Sequence, residues 1–245
     1  LRTHNGDIGG HVVHIIDVSE EQANREQLQV LSRVFRHNVK NDMNVIQGRA
    51  EVIEANGSTA DLSDVQKILE TSRDFVEMAE NQHRITKLLT KNAETVDVDL
   101  APTIKEAVSD VQTQYPDATL QTDLDPDCQA STAREIAEAI RELVENAIIH
   151  SDQAHPRVNI HLRGTETMTE LTVQDDGPGI PEQEWNVLTA DGEINQLNHG
   201  TGLGLWFVNQ VVRRSNGTMS FDTNDSGGAR VTIRLPRASS LALSS

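Results

Sequence analysis

Apolar positions in the first part of the chain recur at helical spacing. Leu28, Leu31, Phe35, Val45, Ile46, Val52 and Ile53 fall three, four or seven residues apart, with gaps. Ser19-Glu20-Glu21-Gln22 has the form of a capping box, and Asn56-Gly57 is a C-terminal stop. No Pro or Gly interrupts the pattern before Gly48, so one helix of about 38 residues is predicted, roughly 57 Å long at 1.5 Å per residue. A second helical run covers 60–93, with Leu62, Val65, Leu69, Val76, Ile85, Leu88 and Leu89 as its stripe. The short Gly57-Ser58-Thr59 connection predicts an antiparallel helical hairpin. Two helices with one stripe each bury it poorly, and a dimer forming a four-helix bundle is the physical remedy. Packing against another domain of the chain is the other solution. Upstream, Asn5-Gly6 and Gly9-Gly10 are turn signals and the β-branched run 11–18 reads as a strand, so 1–18 is predicted to be a hairpin.

After Thr95 the period changes. Strands are predicted at 96–100, 118–124, 157–163, 168–174, 218–223 and 229–235. Helices are predicted from Pro102 to Tyr115, over 132–150 and over 203–215, the last stopped by Asn216-Gly217. The sum is a mixed sheet with three helices, an α/β sandwich of about 140 residues. The fold class is therefore α+β, with domains at 19–95 and 96–237 and a tail at 238–245.

Composition narrows the function. The 245 residues carry 21 Lys+Arg against 38 Asp+Glu, a formal net charge of −17. Such a chain is not built to bind nucleic acid or an anionic membrane, which need cationic surface. Only five of the basic residues are Lys (Lys40, Lys67, Lys87, Lys91 and Lys105), and the carboxylates are dispersed rather than clustered. That pattern fits a high-salt cytoplasm, where the Debye length of ~3 Å at 1 M screens the self-repulsion. Aromatic residues are 3% of the chain, so the core is expected to be aliphatic. The single cysteine, Cys128, excludes an internal disulfide framework and reads as a small buried or half-buried residue. No apolar run approaches the ~20 residues of a membrane span. The chain starts without Met and shows no signal-peptide pattern, so it is expected to be an excised part of a longer one.

Three segments of the second half carry chemistry. Glu142 and Asn146, within 142–151, lie four apart on one helix face. A carboxylate beside an amide can hold a water and a divalent cation, although an exposed polar stripe looks the same in sequence. Asp175-Asp176-Gly177-Pro178-Gly179 follows a strand, where a carboxylate can accept from an exocyclic amine such as that of adenine. A tight turn is the plain alternative. His199-Gly200-Thr201-Gly202-Leu203-Gly204-Leu205 is a glycine-rich loop entering a helix, an arrangement whose free N–H groups suit an anion. Each segment alone is weak, but their order and spacing together are specific.

With these residues in place, the chain resembles the sensor histidine kinases of two-component systems. Residues 97–237 resemble their ATP-binding domain, of the Bergerat type shared with gyrase, MutL and a heat-shock chaperone. The resemblance implies that Asn146 binds Mg²⁺ and that Glu142 polarises the reacting group. It implies that Asp175 reads the adenine amine, and that Gly177, Gly179, Gly200, Thr201, Gly202, Leu203 and Gly204 line the ATP lid and phosphate loop. Trp185 to Leu188 occupy the family's aromatic box, without a Phe. In the first half, 35–43 resembles the phosphoacceptor box, with His37 as acceptor and Asn41 placed to orient a water for dephosphorylating the partner. Arg33 and Lys40 flank it within about a turn. The implied reaction is autophosphorylation of His37 from Mg-ATP, then transfer to an aspartate of a response-regulator receiver domain. A cytoplasmic homodimer is implied, and residues 1–18 resemble the end of a PAS sensor domain.

The departures are informative. Asn38 stands where the family commonly has an acid, and Asp42 where it has a proline, a variant resembling haloarchaeal kinases. A neutral amide can orient imidazole but is a poor base. Ile149 replaces a common Lys, and 189–200 has no Lys or Arg, which leaves His150 or His199 to help meet phosphate charge. These changes motivate an alternative: a non-catalytic or phosphatase-dominant scaffold that binds nucleotide and a receiver. A serine kinase related to the anti-sigma factors is a further one, weakened by the helical hairpin with its acceptor histidine.

Overall fold

The computed structural model describes residues 19–56, 62–90, 94–179 and 202–238. The expected hairpin and PAS-like segment at 1–18, the 57–59 connection, the aromatic box and 189–200 lie outside them. The hairpin helices are α1 (Ser19–Asn56) and α2 (Leu62–Thr90), packed against one another. Leu31, Val34, Met78, Ile85, Leu88 and Leu89 are buried, and Phe35 stacks on Phe75 with ring centroids 6.5 Å apart. The expected stripe is covered at only one end. Met43, Val45, Val52, Leu62, Val65, Leu69 and Val76 are exposed, so a single chain leaves the far half of the hairpin without a partner face.

The second half contains β1 (Thr95–Asp99), α3 (Leu100–Gln114), β2 (Thr119–Leu124), β3 (Gln129–Ala133), α4 (Ile136–Ile149), β4 (Arg157–Gly164), β5 (Met168–Asp175), α5 (Gly202–Arg214), β6 (Thr218–Thr223) and β7 (Ala229–Pro236). Five strands form one mixed sheet in the order β2-β4-β5-β7-β6, with β2 and β4 parallel and the other pairs antiparallel. Register places like residues side by side: Leu162 opposite Leu171, Leu171 opposite Ile233, and Val173 opposite Val231. These buried positions meet α3, α4 and α5, which together make the second layer. The other sheet face is polar, with Glu170 paired to Arg234 at 2.7 Å. This is the expected sandwich.

Two local expectations change. Helix α4 was expected from residue 132, but 129–133 forms β3, which pairs antiparallel with β1 as a separate two-stranded sheet. Gln-Ala-Ser-Thr-Ala has no large apolar residue to show alternation. Its polar atoms are used instead: Thr132 Oγ1 lies 2.9 Å from Ser215 Oγ, and Ser215 Oγ accepts from Ala133 N at 2.8 Å, which ties β3 to the end of α5. Helix α3 starts at Leu100, not Pro102. Asp99 caps it by accepting from Ala101 N, and a proline in the first turn forfeits no intrahelical bond. At the end of α5, Asn216 takes the left-handed conformation (φ 53°) and Gly217 N donates to Val212 O, closing the helix where the sequence indicated.

Candidate nucleotide site

Helix α4 buries Ile136, Ala139, Ile140, Leu143, Val144, Ala147 and Ile148 against the sheet and the neighbouring helices. That orientation fixes where Glu142 and Asn146 lie. Glu142 is not a member of an exposed stripe; it is buried at 6% exposure. Asn146 Nδ2 donates to Glu142 Oε1 at 3.3 Å, so the Asn146 carbonyl Oδ1 is the atom left for a ligand or cation. Gly204, in the first turn of α5, packs directly on this carboxylate. A Cβ there would stand 2.0 Å from Glu142 Oε1 and 3.2 Å from Asn146 Nδ2. Gly202 and Leu203 begin the same helix, Leu203 buried; Gly200 and Thr201 lie outside the described residues. Glu142, Asn146 and the start of α5 are thus one assembly.

Asp175 ends β5 near the C-terminus of α4, beside His150. Its Oδ1 accepts from Gly177 N and from Ala229 N, each at 2.9 Å, which leaves Oδ2 to receive an external amine. Burial pushes its carboxyl above the usual carboxylate range. The two backbone amides pull it back, Asp176 adds to the rise, and His150 opposes it. Gly177 is tightly placed: an added Cβ would meet Asp175 Oδ1 and His150 O at 3.2 Å. Gly179 has φ +79°, open to glycine and strained for other residues. His150 is exposed at the C-cap of α4.

Sequence reasoning missed Asn224. This buried residue of the β6–β7 turn donates to Asp175 O at 2.7 Å and accepts from Gly228 N at 3.0 Å. Gly228 has no room for a side chain, since a Cβ would lie 2.2 Å from Asp175 O. The Asn-Asp-Ser-Gly-Gly run was legible as a turn, but not as the support of Asp175. Arg84 of α2 was also missed. Its guanidinium bonds Asn81 Oδ1 and Glu142 Oε2 and lies over the Phe207 ring, 4.9 Å from Cζ to centroid.

On α1, His37 is exposed, with Nδ1 3.3 Å from Asn38 Oδ1 and 3.4 Å from Asn41 Nδ2. Among the described residues, the hydrogen bonds of His37 stay on its own helix. A cleft of about 840 Å³ separates α2 from the sheet domain, lined by Val76, His83, Arg84, Tyr115, Glu142 and Asn146 among others. His37 does not line it.

Residues 131–239 match the family model of the histidine kinase-, DNA gyrase B- and HSP90-like ATPases. The second half of the chain has the fold of a histidine-kinase ATP-binding domain. The chain is 26% identical over 212 residues to the sensor-type histidine kinase PrrB of Mycobacterium leprae, covering 82% of this chain and 46% of that protein. It is 24% identical over 247 residues to sporulation kinase B of Bacillus subtilis, covering 91% and 55%. It therefore spans about half the length of these curated relatives. The solved mycobacterial sensor histidine kinase MprB matches with TM-score 0.50 at 26% identity, over 58% of this chain and 98% of that one. The Acinetobacter baumannii histidine kinase AdeS, 17% identical, shares the fold over 83% of this chain and 98% of its own, with TM-score 0.60.

The Asn146 carbonyl is the donor in this site whose fit to a cation can be judged. Among the described residues no group of three His, Cys, Asp or Glu could hold a metal. One amide oxygen with water and phosphate oxygens is the set that Mg²⁺, reluctant to shed water, accepts. Among the described residues no helix is long and apolar enough to cross a membrane.

Proposed function

We propose that this chain is the kinase portion of a sensor histidine kinase, which phosphorylates His37 from Mg-ATP and passes the phosphoryl group to an aspartate of a response-regulator receiver domain. The observation that carries the reading beyond nucleotide binding is the contact of Asn38 Oδ1 with Nδ1 of exposed His37. When Nδ1–H donates to Asn38 Oδ1, the lone pair is fixed on Nε2. Nε2 attacks the γ-phosphorus in line, forming the N–P bond as the bond to the ADP oxygen breaks. The Nδ1 proton must then leave for neutral phosphohistidine to form. Asn38 cannot take it, so water does. Asn146 would hold Mg²⁺, which screens phosphate charge, and Glu142 would polarise the reacting group. Asp175 Oδ2 would accept from the adenine amine, with Gly177, Gly179, Gly200, Thr201, Gly202, Leu203 and Gly204 lining the nucleotide and His150 near its edge. With Nδ1–H given to Asn38, the Asn41 amide N–H is released from Nδ1, and Asn41 would orient water for the partner's dephosphorylation.

Two finer features belong to the same reading. The half-exposed hairpin stripe supports a homodimer, and the dispersed acidity with few lysines supports adaptation to concentrated salt. The test is incubation with γ-labelled Mg-ATP at high KCl. Acid-labile, base-stable label that His37→Ala removes is expected. Nucleotide binding with no label on the wild type would favour the scaffold reading, for which Asn38 is the specific motive. Asn38→Glu supplies the missing base and is expected to raise labelling.

A further inference from the structure

We propose that Arg84 is an inhibitory latch that holds the ATP-binding domain against the helical hairpin by occupying Glu142. The inference rests on the kinase reading of Glu142. Arg84 reaches across from α2 and touches both helices that build the nucleotide site: Glu142 on α4, and Phe207 on α5, one turn beyond Gly204. The carboxylate is 6% exposed and the guanidinium 30% of its side chain, so the pair is sheltered from salt screening. While the pair stands, Glu142 Oε2 faces a fixed cation and Oε1 faces Asn146, so neither oxygen is free for a reacting group.

The contact is also incomplete as a permanent interface. Arg84 Nε and Asn81 Nδ2 are buried with no acceptor among the described residues. Undocking returns both donors to water, which makes this a contact suited to release. Release is needed for chemistry, because among the described residues His37 bonds only within α1, and it does not line the cleft that contains Glu142. The domain must leave its place on α2 before His37 and a nucleotide can meet. Coupling is reciprocal: whatever loosens Arg84 from Glu142 frees the domain, and whatever draws Glu142 toward a nucleotide loosens Arg84.

The test compares wild type, Arg84→Met and Arg84→Lys. Met keeps an apolar stem on Phe207 and removes the charge, whereas Lys keeps the charge and loses the planar fork. The initial rate of His37 labelling is expected to rise roughly tenfold in Arg84→Met, as a docked population is released, and less in Arg84→Lys. A rate unchanged or lowered in Arg84→Met, with nucleotide still bound, overturns the latch while leaving the kinase reading intact. Docking is read separately, by energy transfer between dyes on cysteines introduced at Glu70 and Glu166, in doubly labelled chains diluted with unlabelled ones. A narrow distance distribution in wild type, broadened in Arg84→Met and restored by the charge swap Arg84→Glu with Glu142→Arg, is expected. If no variant labels His37, the kinase reading fails, and an Arg84→Met distribution identical to wild type would reject the latch as well.

Discussion

At the scale of single residues, the site is governed by what stands against each carboxylate. Asp175 shows both sides of this. Burial raises its carboxyl, while the Gly177 and Ala229 amides favour the charged form. A carboxyl raised by folding stabilises the fold fully below its ordinary value, and loses that contribution as pH rises through the raised one. Asp175→Asn should therefore compare more favourably with wild type at pH 7 than at pH 4 in thermal unfolding. It should still bind ATP about 10- to 100-fold more weakly, because an amide N–H would face the adenine amine in place of Oδ2. Isothermal titration checks that loss. Gly204→Ala drives a methyl into the Glu142 carboxylate, so His37 labelling should fall to background while circular dichroism stays helical.

At the scale of elements, the glycine-rich segments were readable because they specify backbone. Close approach leaves no room for a Cβ at Gly228, presses one at Gly204 into the Glu142 carboxylate, and crowds one at Gly177. Helices α3, α4 and α5 were readable from spacing and stops. Strand β3 was not, since its partners are the hydroxyl of Ser215 and the backbone of β1, and neither leaves a hydrophobic signature. Arg84 was unreadable for a related reason: its partner is 58 residues away, and nothing in a helical pattern marks one arginine among sixteen. Asn224 sits between these cases, visible as a turn and invisible as a brace. Asn224→Ala would strip Asp175 O of its donor and Gly228 N of its acceptor, costing about 1–3 kcal/mol by denaturant unfolding. Nucleotide affinity should fall with it.

At the scale of the whole molecule, two surfaces carry expectations. The exposed apolar positions Leu62, Val65, Leu69 and Val76 follow one stripe of α2. Introducing charge there, as Val65→Glu with Leu69→Glu, should convert a dimer to monomer by sedimentation velocity and leave the sheet domain folded. The net charge of −17 makes the folded chain self-repelling, so its melting temperature should climb as KCl is raised toward molar levels. A melting temperature that falls with KCl would remove the case for a saline habitat.

Helix α1 has one more consequence, and it is mechanical. It runs from Ser19 to Asn56 as a single α-helix, and its sequence up to His37 contains neither Pro nor Gly. Proline would remove a backbone hydrogen bond and introduce a bend. Without one, the rod has no built-in hinge between its start and His37. His37 stands 18 residues from Ser19, about 27 Å along the axis at 1.5 Å per residue. A twist applied at the head of the helix therefore arrives at His37 as the same twist, turning the imidazole about the rod's axis instead of being absorbed on the way.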